Sequence, residues 1–135
     1  MINLLNTLNA QDLSKYRWNN RLILVLFDDS VSDIYYQQIK HFIEDVEGME
    51  DRKLMVYHVH PDKFTKGLKS DPDWQFKTGL YQKYKKSKSQ FEVVLIGLDG
   101  GVKLRKSEVL KRVELFSIID GMPMRKAELR SRKQD

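Results

Sequence analysis

At 135 residues, 41% hydrophobic and 32% charged, the chain has the length and balance of one globular domain and not of a disordered segment. Lys and Arg number 24 against 19 Asp and Glu, a net charge of +5, and there is no cysteine. Disulfides, thiolate metal sites and thiol-based redox or nucleophilic chemistry are excluded.

Met1 to Ala10 are uncharged and lack the basic stretch and apolar core of a signal peptide. A leader removed upstream leaves the same appearance. The expected compartment is periplasmic or extracellular if one preceded Met1, and cytoplasmic otherwise. Leu22 to Phe27, six residues, is the longest apolar run, far short of a membrane span. Closed by Asp28 and Asp29, it reads as a strand buried on both faces. Val31, Ile34, Tyr35, Phe42, Ile43 and Val46 then recur at helical spacing, predicting an amphipathic helix that Ser30 and Asp33 cap and Gly48 ends. Leu54 to Val59 is a second strand, stopped by Pro61.

Residues 62–74 read as a long loop, and Phe76, Leu80 and Tyr84 as one face of a helix over 75–86. Phe91 to Ile96 is a third strand. Asp99-Gly100-Gly101 is a strong turn signal that returns Val102 to Arg105 antiparallel beside it. Ser107 and Glu108 open a last helix, with Val109, Val113, Phe116 and Ile119 on its buried side, and Pro123 terminates it. The first two strands are expected parallel, joined by a right-handed helical crossover, and the last two antiparallel. This predicts an α/β fold, a thioredoxin-like mixed sheet with helices on both faces and no redox cysteines, the alternative being another mixed α/β sandwich. It forms a single domain over 1–129, with 130–135 a charged tail.

Tyr16-Arg17-Trp18-Asn19-Asn20-Arg21, Phe91 to Leu104 and Ile119-Asp120-Gly121-Met122-Pro123-Met124-Arg125 carry a family resemblance. The chain resembles the DUDES family, a bacterial domain of unknown function related to domains of vertebrate secreted matrix proteins such as equarin and the sushi-repeat proteins. The resemblance covers about residues 4–129. It implies a thioredoxin-like fold without redox cysteines, often in an exported setting, and it brings no catalytic residues or cofactor. The residues agree. Where a thioredoxin-like enzyme holds its thiol, this chain has Asp28-Asp29-Ser30-Val31-Ser32-Asp33. The proline that precedes the third strand in such enzymes is replaced by Ser87-Lys88-Ser89-Gln90.

Several clusters carry candidate chemistry. Asp28, Asp29 and Asp33 read as helix caps, the alternative being a divalent cation on hard oxygen ligands. His58 and His60 share a strand face, with Asp62 close by. They read as half-buried histidines or, alternatively, as the ligands of a metal-binding protein or metal-dependent enzyme. The helical His41 gives no assured third ligand. Ser30 and Ser32 lack a nucleophile context, and Gly97 to Gly101 lacks dinucleotide-loop spacing.

Charge is more telling than motif. Residues 28–51 hold eight acids against the single base Lys40, whereas residues 63–88 hold eight lysines against Asp71 and Asp73. Lys77, Lys83, Lys85, Lys86 and Lys88, with Lys103 and Arg105, form a candidate polyanion surface interleaved with Tyr81 and Tyr84; its alternative is a solvated basic face. Lysine predominates over arginine there, which disfavours nucleic acid. Met122-Pro123-Met124-Arg125 is either a partner-binding ridge or a cap on the core, with Arg125 pairing with Asp120 or a neighbouring carboxylate. The first reading is a non-catalytic binding module for a protein partner or an acidic polymer, without cofactor. Self-association through a sheet edge or the Met-Pro-Met segment is a further reading.

Overall fold

The computed structural model describes residues 13–69, 73–76 and 79–134. Its elements, in chain order, begin with strand β1 (Arg21–Phe27), helix α1 (Ser32–Ile43), helix α2 (Val46–Asp51) and strand β2 (Leu54–Val59). Strands β3 (Lys63–Lys66) and β4 (Gln75–Phe76) follow, then helix α3 (Leu80–Tyr84), strands β5 (Phe91–Ile96) and β6 (Val102–Lys106), and helices α4 (Arg112–Asp120) and α5 (Pro123–Gln134). The six strands form one mixed sheet in the order β4-β3-β2-β1-β5-β6. β1 and β2 are parallel, Ile23 opposite Val56, and every other pair is antiparallel, with Val25 of β1 opposite Val93 of β5.

Alternation along the central strands makes two cores. Ile23, Val25, Val56, Phe91, Val93 and Leu95 face Tyr35 and Phe42 of α1, Met49 of α2, and Leu115, Phe116 and Ile119 of α4. On the other face Leu22, Leu24, Leu26, Tyr57, Val94 and Ile96 pack against Leu13, Phe64 and Leu80, with Tyr16, Tyr81 and Tyr84 at the margin. Helices thus cover both faces, which is why β1 and β5 are apolar almost without interruption.

Five boundaries differ from the sequence reading. The first helix stops at Ile43, and Gly48 lies inside α2 instead of ending α1. A Cβ there would stand 2.4 Å from Asp45 Oδ2 and 2.7 Å from the Phe116 ring, so the glycine makes room for the Asp45 cap and the packing of α4. The segment 62–74, read as loop, contains β3. A turn over Pro61 and Asp62, closed by His60 N–H donating to the Lys63 carbonyl at 2.8 Å, folds Phe64 and Thr65 into the sheet.

The helix expected over 75–86 is only Leu80–Tyr84, because Gly79 takes a left-handed φ of +70° before it. Phe76 sits in edge strand β4, 65% exposed. The last helix of the sequence reading begins at Arg112 and not at Ser107, leaving Val113 69% exposed and burying Leu110 and Leu115 instead. Pro123, finally, starts α5 as well as following α4, a role for which its fixed φ suits it; α5 carries helix through residues 130–134 of the charged segment expected as a tail, Asp135 lying outside the described residues.

Candidate functional site

Three places gather polar chemistry. The first is the junction between β1 and α1. Asp28 Oδ1 accepts from Ser30 N–H at 2.9 Å and from the Ser30 hydroxyl, and these bonds hold the Asp28 carboxyl below its usual range. The cap is therefore Asp28, two residues before the expected Ser30, and it closes a short 3-10 turn at Asp29–Val31 ahead of α1. Asp29, almost fully exposed, accepts from His60 Nε2–H at 2.9 Å, and His60 Nδ1 receives Asp62 N–H at 3.4 Å. His60 also meets the edge of the Phe27 ring.

His58 and His60 do not converge. His58 is fully buried, with Nε2 at 2.7 Å from the Gly67 carbonyl and Nδ1 at 2.9 Å from the Tyr35 hydroxyl. A carbonyl only accepts, so Nε2 carries the hydrogen and Nδ1 accepts from Tyr35. Burial pulls the His58 pKa down to about 4, which keeps the ring neutral. Both its nitrogens are engaged within the protein. Among the described residues no group of three or more His, Asp or Glu is arranged to hold a metal ion.

The second place is the basic loop after α3, which a buried acid shapes. Glu92 interrupts the apolar run of β5 and is 2% exposed. Its two oxygens accept the Lys86 and Ser87 N–H groups at 2.9 and 3.1 Å, and Arg105 Nη1 lies 3.4 Å away. Arg105 also donates to the Tyr84 carbonyl at 2.8 Å, and the Lys85 amine donates to the Ser87 carbonyl. Arg105 and Lys85 are thus anchors of the loop, while the Lys86 and Lys88 side chains stand exposed on it. Lys77 lies outside the described residues. An acid inside an apolar strand is the signal that sequence reasoning missed, since a buried carboxylate demands donors.

Beside this loop a cleft of about 390 Å³ opens between α3, the 3-10 turn Ser14–Tyr16 and the β5–β6 turn. Tyr16, Arg17, Asn20, Lys83 and Tyr84 line it, and Arg17 lies along Gly100. Lys83 Nζ is 5.3 Å from the centre of the Tyr84 ring. Asp99 is the acid in the wall, but Lys103 Nζ at 2.9 Å and Gly101 N–H at 2.9 Å take up its oxygens. The Lys103 ammonium holds the Asp99 carboxyl below its usual range. No ion pair among the described residues involves Arg17, Lys83, Lys86 or Lys88.

The third place is the Met122-Pro123-Met124-Arg125 segment. Met122 packs partly against the first core, and Pro123 and Met124 are exposed. Arg125 turns inward, 2% exposed, donating to Asp120 Oδ1 at 3.1 Å, to Asp51 Oδ2 at 2.6 Å and to Glu128 Oε2 at 3.2 Å. The pairing with Asp120 expected from the sequence is present, and the Arg125 guanidinium holds the Asp51 carboxyl low. Arg52 grips Asp120 through two nitrogens and stacks over the Phe116 ring at 3.8 Å.

No helix among the described residues is long and apolar enough to cross a membrane. No curated protein and no solved structure matches the chain. A family model described as a domain of unknown function matches residues 12–128, nearly the whole length, and the chain therefore belongs to that family, DUF4174.

Proposed function

We propose that this protein is a non-catalytic binding module of thioredoxin-like design that holds an acidic polymer over the α3 side of its sheet. The design is supported by the β1–α1–β2 unit, the antiparallel β5–β6 hairpin with α4 after it, and the run β2-β1-β5-β6 within the strand order. In such a design chemistry sits at the β1–α1 junction. Here Asp28 Oδ1 is taken by Ser30 and Asp29 Oδ1 by His60, and no cysteine stands at that junction.

One observation carries the polymer reading. Arg17 and Lys83 flank a cleft walled by Tyr16 and Tyr84, Lys86 and Lys88 are exposed on the adjoining loop, and none of the four cations has a carboxylate partner among the described residues. Cations left unpaired release their counterions to a polyanion, and the tyrosines offer flat faces on which sugar rings stack. Retention on immobilised heparin, read as a function of salt, tests this. A Lys83→Ala/Lys86→Ala/Lys88→Ala variant is expected to elute earlier, its log–log salt slope reduced by roughly one per lysine in contact. Elution of the wild type alongside neutral proteins at low salt overturns the reading.

A further inference from the structure

Across the β5–β6 turn from the basic cleft, at the end of the sheet where β1 begins, a second cavity of about 290 Å³ lies between that turn and the start of α5. Gly97, Leu98 and Asp99 form one wall, Met122, Pro123 and Met124 the other, and Arg21 and Lys103, the latter paired with Asp99, complete it. The lining is mostly apolar. Two methionines give it an adaptable wall, since their unbranched thioethers change shape at little cost.

Arg21 is the unusual member. It is the first residue of β1 and only 1% exposed, so its permanent charge lies inside the fold. Nη1 donates to the Arg52 carbonyl at 3.0 Å and Nη2 to Glu128 Oε1 at 3.2 Å, but the buried Nε has no hydrogen-bond partner among the described residues. Buried donors without acceptors are rare in folded proteins, and a guanidinium cannot answer by losing its proton. The surrounding charge is unbalanced as well. Five bases, Arg21, Arg52, Lys53, Arg125 and Arg132, share the three acids Asp51, Asp120 and Glu128. Lys103, already held by Asp99, adds no deficit of its own.

We infer that this cavity binds a small monocarboxylate with an apolar body, its head accepting from Arg21 Nε–H and its body lying between Leu98 and the two methionines. The acceptor is anionic because the network around Arg21 has more positive than negative charge. The body is apolar because the walls are. The ligand is small because the cavity falls just below the roughly 300–1,000 Å³ of clefts that take drug-sized molecules. This site is separate from the polyanion cleft and does not depend on it.

The test uses the full chain labelled with ¹³C at the Met methyls and ¹⁵N at arginine, titrated with hexanoate and, in parallel, with uncharged hexanamide. Hexanoate is expected to shift the Met122 and Met124 methyl signals and the Arg21 Nε–H signal saturably. Hexanamide is expected to bind about tenfold more weakly or less. Met124 is 40% exposed, so Met124→Asp leaves the core intact while setting a like charge at the mouth. It is expected to weaken hexanoate about tenfold with an unchanged melting curve. The proposal is overturned if hexanoate produces no saturable shift, if hexanamide binds equally well, or if folded Met124→Asp binds as the wild type does. The two wild-type titrations decide the matter should that variant fail to fold.

Discussion

Two cationic side-chain types are buried in this sheet, and the fold treats them in opposite ways. His58, in β2, keeps company with a hydroxyl and a carbonyl, and burial answers the cost of its charge by removing the proton. Arg21, at the start of β1, cannot be neutralised, so the chain brings Glu128 of α5 to it from 107 residues away. Arg125 repeats the arrangement with three acids. A titratable base needs only hydrogen bonds, while a permanent one recruits distant carboxylates and thereby ties the ends of α2, α4 and α5 to β1. The helix that carries the chain's charged end is held by this network more than by apolar contact, since residues 123–134 contribute few core side chains.

The comparison breaks first at Glu128. Glu128→Ala removes the shared acceptor of Arg21 and Arg125 and leaves buried guanidinium groups short of negative charge. The expected loss is about 3–5 kcal/mol, read by urea denaturation near neutral pH. A loss below about 1 kcal/mol, the range of a surface pair, shows that the network is solvated and the contrast with His58 is false.

The histidine side is tested by pH. The unfolded ring takes up its proton near 6.5, while the folded ring does so only near 4. Between those values the unfolded state binds more protons, so stability is complete above pH 6.5 and falls as pH drops toward 4. About 3 kcal/mol is at stake over that window. Asp28, held low by Ser30, and Asp51, held low by Arg125, act in a different window. Their contributions are present above the ordinary carboxylate range and vanish only below it. His58→Gln is therefore expected to flatten the slope between pH 6.5 and 4 and to leave the acid limb in place. An unchanged slope in that variant refutes the neutral buried ring.

The sequence showed what apolar spacing can show. β1, β2 and β5 are runs of six apolar-dominated residues, and Asp99-Gly100-Gly101 can hardly be anything but a hairpin turn, so β1, β2, β5 and β6 were legible, with the parallel β1–β2 and antiparallel β5–β6 pairs but not the antiparallel β1–β5 pairing between them. β3 was not, because Lys63-Phe64-Thr65-Lys66 has one apolar residue and its burial depends on pairing with β2. Gly48 read as a helix end because the carboxylate and ring that need its missing Cβ come from Asp45 and from a helix 68 residues further on. At the candidate site the exposed lysines were visible, but Glu92, which fixes their loop, was masked by its apolar neighbours. Arg21 was equally hidden, since nothing in a strand's alternation tells a buried arginine from an exposed one.

A neutral polar side chain buried with complete hydrogen bonding stands between the two extremes, and Gln38 supplies it. Tyr35, Gln38 and Phe42 share the inward face of α1 at spacings of three and four, so the position is a core position occupied by an amide. Its Nε2 donates to the Leu110 carbonyl at 2.8 Å and its Oε1 accepts from the Leu110 N–H at 2.7 Å, which clamps the chain just before α4 starts. Gln38→Met keeps the volume and strands both backbone groups. The expected cost is about 2 kcal/mol, smaller than that of Glu128→Ala because no charge is orphaned, and independent of pH between 4 and 9 because neither partner titrates. Amide hydrogen exchange at Leu110 should quicken with it. If exchange there stays slow while global stability falls, the cost arises from packing around α1 and not from the clamp.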